Sequence, residues 1–317
     1  MKSRYVIIAS ALFLSVASFA QKNEIKAAEK ALKSGNANEA ISILTSAEYL
    51  TANAPDAEKA QFLFVKGNAY LDLSNKNVET DKNLVLAAKA YQELVAAEKA
   101  SGKSKYSTQA VTSINEIRNK LVNAAIDDTK VNKDAAGAEK LYQAYLLEKK
   151  DTINLYYAAS TYVNAKDYDK ALQLYEELKT LNYSGKATYY YAVNKVSGQE
   201  DFFKTGADRD RMVKMGTHEK PRTENVSSKR GEIYKNVALI YVQQGKLDEA
   251  KKAVSDARKT NPEDTSLILT EANLYLESKD MDTYKKLISE ALEKNPDDVD
   301  LIFNLGVISA QAKNYAE

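Results

Sequence analysis

Along the second half of the chain, apolar residues recur every third or fourth position, and the whole pattern returns after 34 residues. Tyr234, Val237, Ala238 and Tyr241 share one face of a helix turning every 3.6 residues, and Ala250, Val254 and Ala257 share one face of a second. Gly245 stands between them as a helix stop. The next copy places Ile268, Ala272 and Tyr275 on its first helix and Ile288 and Ala291 on its second, and Pro296 follows Pro262 at the same spacing. An earlier copy starts near Thr152, with Leu155, Ala159 and Tyr162 before the turn NAKDYDKA and Ala171, Tyr175 and Leu178 after it. A fixed period of this length predicts hairpins of helices that bury their apolar faces only against their neighbours. The expected fold class is therefore all-α, an α-solenoid of antiparallel helix pairs.

Nearer the N-terminus the pattern loosens. Ala28 and Ala31 pair with Ala40, Leu44 and Ala47 across SGNANEA; Gly67 and Tyr70 pair with Ala87, Tyr91 and Leu94 across SNKNVETDKN, which carries about eight extra residues. A further pair over 106–150 puts Ala138 and Tyr142 on its second helix. Two stretches break the rhythm. Residues 186–196 begin as another first helix, but the following segment carries Gly198, Gly206, Gly216 and Pro221. It predicts a short helix around Asp208–Met215 and then a surface loop. At the other end, Asp300–Ala312 reads as a first helix with Ile302, Leu305 and Gly306 on its core face, and AKNYAE opens a turn. A first helix without its partner leaves that face uncovered, so a continuation beyond Glu317 is expected. The expected organisation is thus 21–185 of loose hairpins, 186–230 of degenerate repeat with an irregular insert, and 231–317 of regular units with the last incomplete.

Residues 1–20 stand apart. Lys2 and Arg4 precede an apolar run from Tyr5 to Val16, and Ser18-Phe19-Ala20 supplies the small residues of a cleavage site. The run is shorter than the ~20 residues a membrane-spanning helix needs, so a cleaved secretory signal with Gln21 as the mature start is expected. The chain has no cysteine, which excludes disulfides and the lipid-bearing cysteine of a lipoprotein. Without Lys2 and Arg4 the 45 basic residues become 43 against 44 acidic ones, a net of −1, which gives no basic face to grip nucleic acid.

The units resemble those of the tetratricopeptide (TPR) family, most closely over Gly231–Asp264, where QQGKLDEA forms the turn between helices. The next unit departs at the crossing point, where Tyr284 replaces alanine. The resemblance implies a TPR superhelix whose first helices line a concave groove through their positions 2, 5, 9, 12 and 13. It also implies a role in binding other chains. On that register Tyr156 and Ser160, Tyr190, and Lys235 and Leu239 become groove residues, with Tyr156 and Tyr190 as exposed aromatic anchors for a partner. TPR domains that hold a C-terminal carboxylate use lysine, asparagine and arginine at fixed groove positions; here Tyr156, Ser160, Asn164, Lys235, Leu239 and Gln243 stand there, and only Lys235 fits.

Candidate chemistry is sparse. His218 is the only histidine, beside Gly216 and Pro221, and reads as a surface-loop residue. Without cysteine it cannot complete the usual zinc ligand set, and no positioned nucleophile accompanies it. No catalytic set, metal or cofactor is expected. Arg209, Arg211 and Arg222 could contact an anion through their guanidinium forks, but Asp208, Asp210, Glu219 and Glu224 are interleaved with them, which favours local ion pairs. Asp151-Thr152-Ile153 resembles an acceptor for periplasmic O-glycosylation and equally suits a helix N-cap. The expectation is an exported, periplasmic, non-enzymatic scaffold for a protein or peptide, with no small-molecule substrate. The alternative is an accessory arm of a larger envelope protein whose cell-wall-binding or catalytic domain follows residue 317.

Overall fold

The computed structural model describes residues 22–311 except 261 and 263. The expected signal segment and the AKNYAE turn lie outside the described residues. The chain divides into two compact units, Met1–Asp167 and Tyr168–Glu317.

The first unit is a run of helical hairpins. Helix α1 (residues 22–33) pairs with α2 (Ala37–Ala47), and a 3-10 turn at Glu48–Asn53 leads to α3 (Asp56–Asn75) and α4 (Thr80–Ser101). Then follow α5 (Ser107–Lys130), α6 (Asp134–Leu147) and α7 (Thr152–Asn164). Each hairpin packs on the next, α2 on α3, α4 on α5 and α6 on α7. Small residues fill the crossings: Ala28, Ala40 and Ala69 in one core, Ala87, Ala110 and Ala144 in the next. The extra residues expected between α3 and α4 do not form a loop. They lengthen the two helices to 20 and 22 residues, leaving residues 76–79 as the turn.

Buried Glu98 joins two hairpins. Its carboxylate accepts the main-chain N–H groups of Tyr106 (3.0 Å) and Ser107 (2.8 Å) and the Ser107 hydroxyl (2.6 Å). It thereby satisfies donors that the first turn of α5 leaves without helical partners.

In the second unit, α8 (Tyr168–Thr180) is followed by the departure from the repeat and then by α10 (Arg230–Gln243), α11 (Leu247–Thr260), α12 (Thr265–Glu277), α13 (Met281–Lys294) and α14 (Val299–Gln311). Tyr284, at the crossing point of α13, is buried with Ile268, Ala272, Ile288 and Ala291. On α14, Leu301 and Leu305 face this core, while Ile302 and Phe303 are exposed.

The turn of each regular hairpin stops at the same register. Lys166, Gly245 and Lys279 take φ of 60°, 72° and 60°, and the next residue donates its N–H to the carbonyl of Tyr162, Tyr241 or Tyr275. This is the left-handed helix stop; glycine occupies it once and lysine twice.

Residues 186–230 overturn the helical expectation. Ala187–Asn194 is a strand (β1), paired antiparallel with β2 (Glu200–Phe203) on one side and β3 (His218–Val226) on the other. The short expected helix is present as α9, Gly206–Lys214. Thr205 caps it by accepting the Asp208 N–H at 3.1 Å. The loop expected after it is strand β3. Apart from Ala192, the run from Thr188 to Val193 is β-branched and aromatic, side chains that suit a pleated surface better than a helix.

Candidate functional site

A cavity opens between two helices of the second unit. Lys235, Leu239 and Val242 of α10 and Ser266, Leu269, Asn273 and Glu277 of α12 line one cavity of about 200 Å³. The faces of the same helices that carry Val237 and Ala238, or Ile268 and Ala272, are buried. What remains open is therefore the stripe that the hairpin cores do not use. Leu239 is 45% exposed there, and Leu269 and Leu274 extend its apolar floor. Lys235, Asn273 and Glu277 supply a cation, an amide and a carboxylate. Thr270 turns its hydroxyl back to the Ser266 carbonyl at 2.7 Å and so offers less to a ligand. The cavity falls below the roughly 300 Å³ at which small-molecule pockets begin. It suits one or two side chains of a partner.

The structure brings Lys235 and Leu239 together in one cavity of the second unit. Tyr156 lies on α7 of the first unit and is only 3% exposed. It packs beside Tyr157, with ring centroids 5.4 Å apart, and it is Tyr157 that is half exposed. The expectation of Tyr156 as an exposed anchor is thus corrected. One side of α7 also buries Leu155, Ala159 and Tyr162, and Tyr156 falls within that face. Ser160 is half-buried on the same helix.

Tyr190 is a strand residue rather than a helix-groove residue. It pairs with Phe203 and Thr223 and lies under α9, with the Arg209 guanidinium 5.5 Å from its ring centre. A Cβ at Gly206 would come within 3.0 Å of the Tyr190 ring, so glycine lets the start of α9 rest on it.

The three candidate anion-binding arginines are engaged within the chain. Arg209 pairs with Asp210 at 2.8 Å, Arg211 with Asp208 at 2.6 Å, and Arg222 with both Glu200 and Glu224 at 2.8 Å. Their carboxylates hold the Arg222 guanidinium above its ordinary range, and Arg222 in turn holds Glu200 below the usual carboxylate range.

His218 is corrected from a loop residue to a strand residue that is 5% exposed. Its Nε2 lies 2.9 Å from the Asp201 carboxylate, its Nδ1 lies 2.9 Å from the Thr217 hydroxyl, and its ring meets Phe203 edge to face. Hydrogen bonds from His218 and Asn194 lower the Asp201 carboxyl below its ordinary value. Among the described residues no cluster of histidine, aspartate and glutamate is arranged to hold a metal, and no helix is long and apolar enough to cross a membrane.

Sequence reading missed the outer face of the sheet. Tyr189, Tyr191 and Phe202 stand together there, with ring centroids 5.8 to 6.5 Å apart, and Arg222 lies 4.2 Å over Tyr191. The available signal was the alternation of β1, which sends Tyr189 and Tyr191 to one side and Tyr190 to the other.

No family model matches the chain, and no curated protein does. Among solved structures, similar chains include YrrB, described as a TPR protein with an unusual peptide-binding site. It has 17% identity, covers 65% of this chain and 84% of its own, and has a TM-score of 0.38. The MamA fragment from Desulfovibrio magneticus RS-1 is similar at 12% identity, over 67% of this chain and 97% of its own, with a TM-score of 0.39. PilF from Pseudomonas aeruginosa is similar at 11% identity, over 90% and 96%, with a TM-score of 0.33. The chain's own helix pairs, their 34-residue register and the alanines at their crossings make it an all-α stack of helical hairpins that resembles the TPR fold.

Proposed function

We propose that the chain is a non-enzymatic scaffold that holds a peptide or protein partner, with the groove between α10 and α12 as a contact surface. The observation that carries this reading is the convergence of Lys235 and Leu239 with Leu269 and Asn273, contributed by consecutive repeats. It joins an apolar floor to unspent polar groups at a scale that receives side chains. The leader from Lys2 to Ala20 supports export, and the periplasm is the compartment we assign.

The test is a photo-crosslinking residue placed at Leu239 in the full chain in living cells, with the same residue at exposed Tyr49 as control. A discrete adduct at Leu239, absent at Tyr49 and lost with Leu269→Arg, is expected. Adducts that ignore position, or turnover of a substrate by the purified chain alone, would refute the scaffold reading. N-terminal sequencing of the mature protein from the periplasmic fraction checks the address, with Gln21 as the expected first residue.

A further inference from the structure

One end of the sheet insert has a surface unlike the groove. There the β1–β2 turn and the α9–β3 turn lie side by side. Lys195 donates its N–H to the Thr217 carbonyl at 3.1 Å, and Asn194 pairs with His218. Both turns pass through left-handed glycines, Gly198 at φ 70° and Gly216 at φ 78°, with nothing near the place of a Cβ. At the tips Val196 is 97% and Met215 65% exposed.

Lys195, Lys214 and Lys220 are exposed around these tips, and none of them is in an ion pair among the described residues. Of the acids close by, Glu200 is paired with Arg222 and Asp201 is hydrogen-bonded to His218, so Asp201 and the exposed Glu219 stand against the three lysines. Over residues 184–229 nine lysines and arginines face six aspartates and glutamates, an excess that the rest of the chain lacks.

A single exposed apolar side chain is ordinary on a protein surface. Two on adjacent turns, ringed by lysines that outnumber the nearby unpaired acids, form an amphipathic tip. A nucleic acid or a soluble polyanion would satisfy the lysines and leave Val196 and Met215 in water. A protein partner would need a socket shaped to two protruding turns. A fluid, negatively charged boundary satisfies both kinds of group at once.

We propose that this end of the insert docks on an anionic lipid surface. Val196 and Met215 enter the headgroup boundary, and Lys195, Lys214 and Lys220 meet the phosphates. The contact is peripheral, and it leaves the α10–α12 groove free to hold its partner.

The test is co-sedimentation of the purified chain with vesicles of phosphatidylcholine alone and of an equal mixture of phosphatidylcholine and phosphatidylglycerol. Binding to the mixture and little to phosphatidylcholine alone is expected, weakening as salt is raised. Lys195→Gln with Lys214→Gln should lower the partition coefficient about 30-fold. Val196→Ser with Met215→Ser should lower it by about tenfold, and Leu239→Ala should leave it unchanged. The chain has no tryptophan, so Val196→Trp gives a single tryptophan, excited apart from the tyrosines at the red edge of the absorption band, whose fluorescence should shift to the blue with the mixture only. The proposal is overturned if the wild type ignores the mixture, if phosphatidylcholine alone binds equally, or if the tip variants bind like wild type. Loss of binding with the lysine pair but not with the Val196 and Met215 pair marks a polyanion site and also overturns the lipid occupant.

Discussion

The main-chain N–H of Lys229 donates to the Ser184 carbonyl at 2.7 Å, so the sheet insert leaves and rejoins the helical stack at one point. Arg230 fastens the same junction through the carbonyls of Asn182 (3.0 Å) and Tyr183 (3.3 Å). Behind it, α8 meets α10 as consecutive repeats should: Asn236 donates to the Tyr175 hydroxyl at 2.8 Å, and Lys179 lies 5.3 Å over the Tyr234 ring. Deleting Lys186–Arg230 joins Gly185 to Gly231 and restores the 34-residue register. The deletion variant is expected to keep its helical circular-dichroism signal per residue of helix and to unfold cooperatively. Collapse of that signal would show that the sheet is integral to the stack.

Gly67 sits inside α3 against the ring of Tyr91, where an added Cβ would lie 2.6 Å from a ring carbon. Tyr91 is held in place by its hydroxyl, which donates to Asn68 at 2.6 Å. In an open helix, glycine to alanine stabilises by about 0.8–1 kcal/mol. Here the overlap reverses the sign, and Gly67→Ala should destabilise by about 1–3 kcal/mol in urea unfolding. A gain in the urea midpoint would contradict this packing.

Lys166 and Lys279 hold the left-handed stop that Gly245 fills in the best-formed hairpin. A side chain in that conformation costs about 1–2 kcal/mol. Lys279→Gly is therefore expected to raise stability by about 1 kcal/mol despite the freedom it adds to the unfolded chain. Differential scanning calorimetry would read this as a higher Tm, and an unchanged or lower Tm would remove the strain argument.

Burial pushes the Glu98 carboxyl up. Hydrogen bonds from the Ser107 hydroxyl and from main-chain N–H groups outweigh that effect and hold it below the usual carboxylate value. A lowered folded value means that its stabilisation is fully present above the unfolded carboxylate value, about 4.3, and is lost as pH falls through the lower folded value. Glu98→Gln should cost about 1–3 kcal/mol at neutral pH. The urea midpoints of variant and wild type should converge as pH drops below about 4. Parallel curves across that range would mean that Glu98 is not the titrating cap.

The groove was half legible in the sequence. Lys235 and Leu239 could be placed because α10 and α12 carry the same apolar register, and the core claims one stripe of each helix and leaves the next open. Tyr156 was misplaced by the same rule. On α7 the buried face spans both Leu155 and Tyr156, and only contacts from neighbouring helices decide how wide a buried face is.

What the sequence by itself determined is the series of helical hairpins and the turns of the regular units. These follow from local 3.6-residue periodicity and from contacts between adjacent units, so a window of 34 residues holds the needed information. The tertiary structure alone decided the sheet. Tyr190 becomes a strand residue because Phe203 and Thr223 come from later in the chain to pair with it; its β-branched and aromatic neighbours favour a strand, but the partner segments that complete the pairing lie outside any local window. The same closure buries His218 against Asp201 and carries Val196 and Met215 to one end of the insert.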